Sequence, residues 1–162
     1  FRSVKRGDNN IVVSGCSDNL LSPYGLDSLT KARVLSKRFY DNPKLSVRPF
    51  DKLRDGLIMS EGAGAIVLEE LEHAKSRGAK IYCEIVGYGN SDDSYSILVP
   101  HAKGDGVWWA MMIALKDSLL KPEEIHLVNP HAPSTVMGDL TDYKAILRIF
   151  GDTYPMIAAT KS

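Results

Sequence analysis

Short apolar runs alternate with amphipathic stretches along most of this chain. The β-branched run at residues 11–15 predicts a buried strand. Ser22 followed by Pro23 predicts a helix over residues 23–36, because serine is a favoured N-cap and proline suits the first helical position. Residues 39–60 show neither the helical nor the strand period, so they are predicted to form a long loop, a kind of segment that is often functional.

The remainder of the chain continues this alternation. The pattern predicts strands at residues 63–68, 81–88, 125–129 and 156–159. It predicts helices at residues 69–77, ended by Gly78, and at residues 104–120 and 139–150. Strands that alternate with helices, and that are almost continuously apolar, predict an α/β layered fold with a largely covered sheet.

Composition excludes several classes of protein. The 162 residues are 44% hydrophobic, which is enough to fill the core of a single domain. Twenty basic residues balance twenty acidic ones, so no electrostatic footprint for nucleic acid or an anionic membrane is present. No apolar run is long enough for a membrane span, and two cysteines are too few for a disulfide framework. A reducing, aqueous compartment is expected.

The glycines of SEGAGAIV do not form a cofactor motif. Gly62 and Gly64 precede a predicted strand, whereas a dinucleotide fingerprint follows a strand and opens a helix. They are better explained by close backbone packing at the start of a strand. His73 lies on a charged predicted helix and is expected to be solvated. His101 and His126 have no metal-ligand partner at a recognised spacing, so we expect neither a cofactor nor a metal site.

His131 is the histidine with the strongest claim to a role. It lies in NPHAPSTVMGD, just after the predicted strand at residues 125–129 and before a predicted helix. Loops at strand ends are the usual place for chemistry in α/β folds. A lone histidine there is equally consistent with a structural role.

Three segments then resemble a known family. The stretch RPFDKLRDGLIMSEGAGAIVLEELEHAKSRGAKIYCEIVGYG, the segment NPHAPSTVMGD and the terminal ATKS occur in the order and spacing of β-ketoacyl-[acyl carrier protein] synthases, the elongating condensing enzymes of fatty acid synthesis. Residues 37–45 and the run GAKIYCEIVGYG look closest to mitochondrial members. The resemblance therefore implies a mitochondrial protein, with cytoplasm or plastid as the other possible locations.

The resemblance implies a thiolase-like fold, in which two duplicated α/β halves pack around central helices, and a homodimer of the complete protein. Residues 1–90 would be the rest of the N-terminal half, including the long loop. Residues 91–162 would be the connecting loop and the start of the C-terminal half. The implied partner is acyl carrier protein, which presents acyl and malonyl groups on its phosphopantetheine arm.

The resemblance also implies roles for individual residues. His131 matches the first of the family's two catalytic histidines, Lys161 matches its catalytic lysine, and Thr135 matches a residue that contacts the pantetheine arm. An imidazole N–H stabilises the enolate that decarboxylation creates, and a nearby ammonium biases the local charge. The nucleophilic cysteine is expected before Phe1 and the second histidine beyond residue 162.

The two cysteines of the chain, Cys16 and Cys83, are expected to be small buried apolar residues. Lys37 and Arg38 match a loop with which some family members contact the acidic carrier protein. A solvated basic pair at a helix end explains them equally well.

Two functional hypotheses follow. The first is a condensing enzyme that elongates an acyl chain by two carbons with release of carbon dioxide. The alternative is a truncated, catalytically inactive paralogue that acts as a carrier-protein-binding or dimerisation module. Since half-sheets would expose apolar faces and edges, we also expect the 162 residues to be poorly soluble on their own.

Overall fold

The computed structural model describes all of residues 1–162 and contains five helices and four strands. The helices are α1 (Arg2–Lys5), α2 (Pro23–Lys31), α3 (Leu71–Ser76), α4 (Asp105–Ser118) and α5 (Val136–Phe150). The strands are β1 (Ile11–Asn19), β2 (Glu61–Glu69), β3 (Leu127–Val128) and β4 (Met156–Ile157), and short 3-10 turns cover Pro43–Leu45 and Pro122–Glu124. None of the helices is both long enough and apolar enough to cross a membrane.

Strands β1 and β2 form an antiparallel pair, with Ile11 opposite Glu69 and Asn19 opposite Glu61. The prediction of a largely covered sheet is wrong for this pair. The side chains of Val13 and Ile66, for example, are 70% and 58% exposed. The physical reason is that no helix of this chain packs across either face of the pair, so its apolar residues meet solvent.

Strands β3 and β4 form a second, parallel pair, with Leu127 beside Met156 and Val128 beside Ile157. Helix α5 connects them and packs against α4. Two of the most deeply buried apolar side chains, Ala145 and Ile146, lie on α5. Because parallel strands end at the same edge of a sheet, the segments that follow β3 and β4 emerge side by side.

Helix α2 begins as predicted and ends early. The Ser22 hydroxyl accepts a hydrogen bond from the Gly25 N–H at 3.1 Å, which caps the helix start. The helix ends at Lys31 in a Schellman motif, since Arg33 N–H donates to Thr30 O and Val34 N–H donates to Leu29 O. Arg33 occupies the left-handed position of that motif, with φ of +57°.

The predicted strand at residues 81–88 is not formed. No strand of this chain hydrogen-bonds to it, so its backbone belongs to no ladder. The segment lies instead against α4. A Cβ added at Gly87 would come within 2.5 Å of Ala114 O, and one added at Gly89 would collide with Ala110 O. These two glycines therefore allow the main chain to approach the helix closely.

Candidate functional site

His131 and Lys161 lie next to each other at the carboxyl ends of the two parallel strands. His131 follows β3, Lys161 follows β4, and Lys161 Nζ donates a hydrogen bond to the backbone oxygen of His131. Both residues are exposed. The arrangement places an imidazole and an ammonium at one sheet edge, where they can act on negative charge that develops on a bound substrate.

The loop that carries His131 has an unusual backbone. Ala132 and Ser134 both have positive φ, +31° and +73°, a region that residues other than glycine rarely adopt. Two carboxylates of α5 hold these residues in place. Ala132 N–H donates to Asp142 Oδ2 at 2.7 Å, and Ser134 N–H donates to Asp139 Oδ1 at 2.9 Å. Such strain persists only where surrounding contacts enforce it, and it is common at functional sites.

Asp139 also ties the long loop to the histidine loop. Its side chain is completely buried and accepts a second hydrogen bond, from Phe50 N–H at 2.8 Å. Arg54 Nε lies 3.3 Å from Asp139 Oδ2, and its Nη2 donates to Val136 O at 2.9 Å. The predicted long loop is thus confirmed. Its contacts with Asp139 hold it against the loop that carries His131.

Asp142 is a buried carboxylate that interacts electrostatically with both candidate catalytic groups. Burial raises the pKa of Asp142 above its ordinary value, although the hydrogen bond from Ala132 N–H and the proximity of His131 and Lys161 act in the opposite direction. The balance shows that desolvation dominates here. The Asp142 carboxyl is hydrogen-bonded to the loop that carries His131. The protonation state of Asp142 is therefore coupled to the geometry of that loop.

Thr135 serves first as the N-cap of α5, where its hydroxyl oxygen accepts a hydrogen bond from Gly138 N–H at 3.2 Å. Its hydroxyl hydrogen remains available to a ligand. Thr135 also lines a cavity of about 280 Å³. The apolar wall of that cavity consists of Ala32, Val34, Leu98, Val99, Val136 and Met137.

Lys37 and Arg38 are exposed at the start of the long loop. Their backbone N–H groups both donate to Asp55 Oδ2 at 2.8 Å. Burial raises the pKa of Asp55, but hydrogen bonds from Ser36, Lys37 and Arg38 outweigh it and hold the pKa below its usual value. The Lys37 side chain lines an open cleft of about 510 Å³, together with Lys31 and Arg33, whereas Arg38 lies outside the cleft.

The two cysteines are not buried, and the prediction that they are is wrong. Cys16 and Cys83 are both exposed. Cys16 sits on β1, opposite Gly64, in the pair of strands that nothing covers. Cys83 belongs to the segment that approaches α4 closely at Gly87 and Gly89, and its own side chain is not covered by that helix. Their exposure therefore has the same cause as the exposure of the apolar side chains around them.

Sequence reasoning missed Asp139, Asp142 and Arg54. A signal was present for the two carboxylates, because acidic residues three apart on α5 share its buried face with Ala145 and Ile146. Charged residues on an apolar helix face require partners, and such partners often belong to a site. For Arg54 the sequence holds no comparable signal, since its partners on the far side of the site, Thr135 and Val136, are more than 80 residues away.

Two family models match adjacent parts of the chain. Residues 1–74 match the N-terminal domain of β-ketoacyl synthase, and residues 82–162 match its C-terminal domain. Among curated relatives, a Schizosaccharomyces pombe protein named, provisionally, as mitochondrial 3-oxoacyl-[acyl-carrier-protein] synthase is 45% identical over 94% of this chain and 36% of its own length. The mitochondrial 3-oxoacyl-[acyl-carrier-protein] synthase of Arabidopsis thaliana is 42% identical over 93% of this chain and 33% of its own length. The chain thus spans about a third of the length of these relatives.

Solved structures agree. A type II PKS acyl-carrier protein in complex with its ketosynthase matches with a TM-score of 0.92 and 31% identity, over 96% of this chain and 39% of that one. A β-ketoacyl synthase from Burkholderia phymatum matches with a TM-score of 0.85 and 38% identity, over 93% and 36%. The expected α/β, thiolase-like fold is therefore confirmed, and the chain covers part of it. The division at residues 90 and 91 stays a prediction.

Proposed function

The chain belongs to the β-ketoacyl synthase family, and we propose that the complete protein is a 3-oxoacyl-[acyl carrier protein] synthase of fatty acid synthesis. The single observation that carries the proposal is the pairing of His131 and Lys161 at adjacent ends of β3 and β4. These are the two residues that the sequence matches to catalytic positions, and the fold brings them together across 30 residues of chain.

The chemistry suits this pair. In the malonyl thioester, the bond between C2 and the carboxylate breaks, carbon dioxide leaves, and the electron pair passes into an enolate on the thioester oxygen. An N–H of His131 stabilises that oxygen, while the Lys161 ammonium adds positive charge. The enolate carbon then attacks the carbonyl carbon of the acyl thioester, whose sulfur leaves, and the product is a 3-oxoacyl chain two carbons longer.

The carrier protein would approach from the side of the long loop. Lys37 and Arg38 are exposed there, and their charges would speed the encounter with an acidic partner more than they strengthen binding. Thr135 would meet the pantetheine arm in the apolar cavity. A structural relative solved as a complex between an acyl-carrier protein and its ketosynthase supports this partner.

Location and assembly are part of the proposal. We propose a mitochondrial protein, supported by the names of relatives in two organisms, and a homodimer. Fractionation of cells that express the full-length protein tests the first statement, and light scattering of the purified full-length protein tests the second. Recovery outside mitochondria, or the mass of a monomer, would contradict them.

The catalytic proposal is tested with the full-length protein, malonyl-carrier protein and an acyl-carrier protein, by measuring 3-oxoacyl product and carbon dioxide. His131→Ala is expected to lower the rate about a hundredfold to a thousandfold, the usual cost of removing one donor to a developing oxyanion. Lys161→Ala is expected to lower it as well.

His126→Ala is the matched control. The His126 side chain is exposed, and the residue contributes its backbone oxygen, which accepts from Met156 N–H at 2.9 Å and which alanine retains. This variant is expected to keep the normal rate. If His131→Ala condenses as fast as His126→Ala, the role proposed for His131 is wrong.

A further inference from the structure

We infer that the outward face of α4 attaches the protein to an anionic lipid surface. The inference is independent of the function proposed above, because this face carries none of the candidate catalytic residues. Three observations support it: exposed apolar side chains along α4, lysines beside them that have no ion-pair partner, and a strained, almost fully exposed leucine at the end of the helix.

Two sides of α4 are covered by other parts of the chain. The main chain at Gly87 approaches the helix closely at Ala114. Arg148 of α5 lies over the Trp108 ring, with 4.7 Å between the guanidinium carbon and the ring centroid. A third side of the helix points to solvent, as expected for an outer helix of a layered α/β fold.

The third side of α4 carries exposed apolar residues. Trp109, Met112 and Lys116 are three and four residues apart, so they share one face of the helix. Trp109 is 54% exposed, and Met112 and Lys116 are exposed as well. Tryptophan rings and long basic side chains are typical of surfaces that lie at the boundary between water and lipid, because each has an apolar body and a polar end.

Leu119 extends this apolar surface at the end of the helix. It is 90% exposed, and its backbone is left-handed, with φ of +60°. Glycine is the usual residue at such a position, because a side chain is strained there. A leucine here costs stability and buries nothing within the chain, so an external apolar contact accounts for it.

Three lysines accompany the apolar surface. Lys103 precedes α4, Lys116 lies on its outward face and Lys121 follows it. None of the three takes part in an ion pair. The equal totals of basic and acidic residues in the whole chain do not show this local placement. Each lysine close to an anionic bilayer strengthens binding roughly fivefold.

Both acidic residues of α4 are neutralised within the chain. Asp105 pairs with Arg148 at 2.6 Å, and Asp117 pairs with Lys5 at 2.7 Å. The two glutamates of the turn Pro122–Glu124 come after the helix. The unpaired charge on α4 itself is therefore positive, and it complements an anionic surface.

A bilayer suits this face better than a second protein does. The outward side of one 14-residue helix is small compared with the roughly 1,200 Å² that a stable protein interface buries. A bilayer needs no matching groove. It accepts the apolar stripe of a single helix into its headgroup region, while flanking lysines meet the anionic headgroups.

The test is sedimentation of the full-length protein with sucrose-loaded vesicles. Binding is expected to phosphatidylcholine vesicles that contain about a third phosphatidylglycerol, at least about tenfold more weakly to pure phosphatidylcholine vesicles, and more weakly when salt is added. Lys116→Glu is expected to lower the affinity about thirtyfold, because it reverses one charge at the surface. Lys44→Glu, which makes the same change at an exposed lysine of the long loop, is the matched control and is expected to keep the affinity.

A second variant separates binding from folding. Leu119→Gly relieves a strained position, so its melting temperature is expected to equal or exceed that of the normal protein. Its affinity for the anionic vesicles is expected to fall about fivefold to tenfold, because an apolar side chain that enters the lipid boundary is lost. Tyr40→Ala removes a side chain that is 89% exposed elsewhere, and it is expected to leave the affinity unchanged.

Three results would overturn the inference: no binding to the anionic vesicles, equal binding to both kinds of vesicle, or binding that survives both Lys116→Glu and Leu119→Gly. Two others would assign the face to a protein and overturn it as well: a lower rate with carrier-borne substrate in Lys116→Glu, or lost self-association in Leu119→Gly, with vesicle binding unchanged in either case. Vesicle binding by a protein that makes no 3-oxoacyl product would support this inference and overturn only the proposed function.

Discussion

Two buried carboxylates set the conformation of the loop that carries His131. Asp139 and Asp142 each accept a backbone N–H from a residue with positive φ, so the loop is held by α5 and not by its own backbone preference. The site is therefore sensitive to changes in side chains that do not touch the substrate. These two backbone contacts act on the same loop that places His131 beside Lys161.

Asp139→Asn is expected to lower the free energy of unfolding of the full-length protein by about 3 kcal/mol, because it leaves Arg54 without its buried partner. Urea unfolding followed by circular dichroism measures the change. Asp27→Asn is the control, since Asp27 forms an exposed pair with Lys31 and such pairs contribute about 0.5 kcal/mol or less. Equal losses in the two variants would show that the Asp139 network does not hold the loop.

Asp142→Asn is expected to change how stability depends on pH. Because the pKa of Asp142 is raised in the folded state, the folded protein keeps this proton when the unfolded chain has released it. The contribution of Asp142 is therefore complete below its unfolded pKa and is lost as the pH rises through the folded value.

The asparagine variant retains an oxygen for Ala132 N–H but cannot titrate. Its stability relative to the normal protein should therefore increase as the pH is raised from about 4 to 7. Chemical unfolding at several pH values in this window measures the difference. A difference that stays constant, or that falls with pH, would mean that the Asp142 pKa is not raised.

At the scale of elements, sequence predicted what local chemistry determines. The start of α2 follows from Ser22 and Pro23, and the order of strands and helices follows from their apolar periods. The early end of α2 at Lys31 was not predictable, because arginine is an uncommon residue for the left-handed position that ends a helix. The strand expected at residues 81–88 requires a neighbouring strand with which to form hydrogen bonds. A local sequence pattern does not show whether such a neighbour is present.

The same division holds for the candidate site. His131 and Lys161 could be found by motif, since each follows a predicted strand, and their proximity follows from parallel pairing. Arg54 could not be found, since its contacts with Thr135 and Val136 depend on how the long loop docks. Sequence thus identified the two candidate catalytic residues and missed the residues that hold their loop in place.

Gly89→Ala tests the contact between residues 81–90 and α4. The added Cβ would collide with Ala110 O, so the segment must move away from the helix, at an expected cost of about 1 to 3 kcal/mol. Gly78→Asn is the control, because a side chain there meets nothing within 4 Å and asparagine tolerates its positive φ. Thermal unfolding of both full-length variants measures the costs, and similar values would argue against close packing on α4.

At the scale of the whole molecule, the solvent-accessible surface is larger than that of a compact protein of the same mass. The accessible surface of the chain is 11555 Å², whereas a compact protein of 17.8 kDa exposes about 8,000 Å². Much of the excess is apolar and lies on β1, β2 and residues 81–88. Since the relatives are nearly three times as long, we expect other parts of the complete fold to cover these surfaces.

Val13→Lys on β1 should therefore have opposite effects in two settings. The 162-residue chain alone exposes Val13 and the free edge of β1, so we expect it to associate, and a lysine there should reduce association because charge on an edge strand opposes pairing. In the full-length protein the same lysine would be buried without a partner, and we expect the free energy of unfolding to fall by at least about 2 kcal/mol.

Tyr40→Lys, at an 89% exposed position in the long loop, is the control and should change neither association nor stability. Light scattering measures association and urea unfolding measures stability. A monodisperse monomer with a cooperative melt for the 162-residue chain would contradict the first expectation, and an unchanged full-length variant would contradict the second.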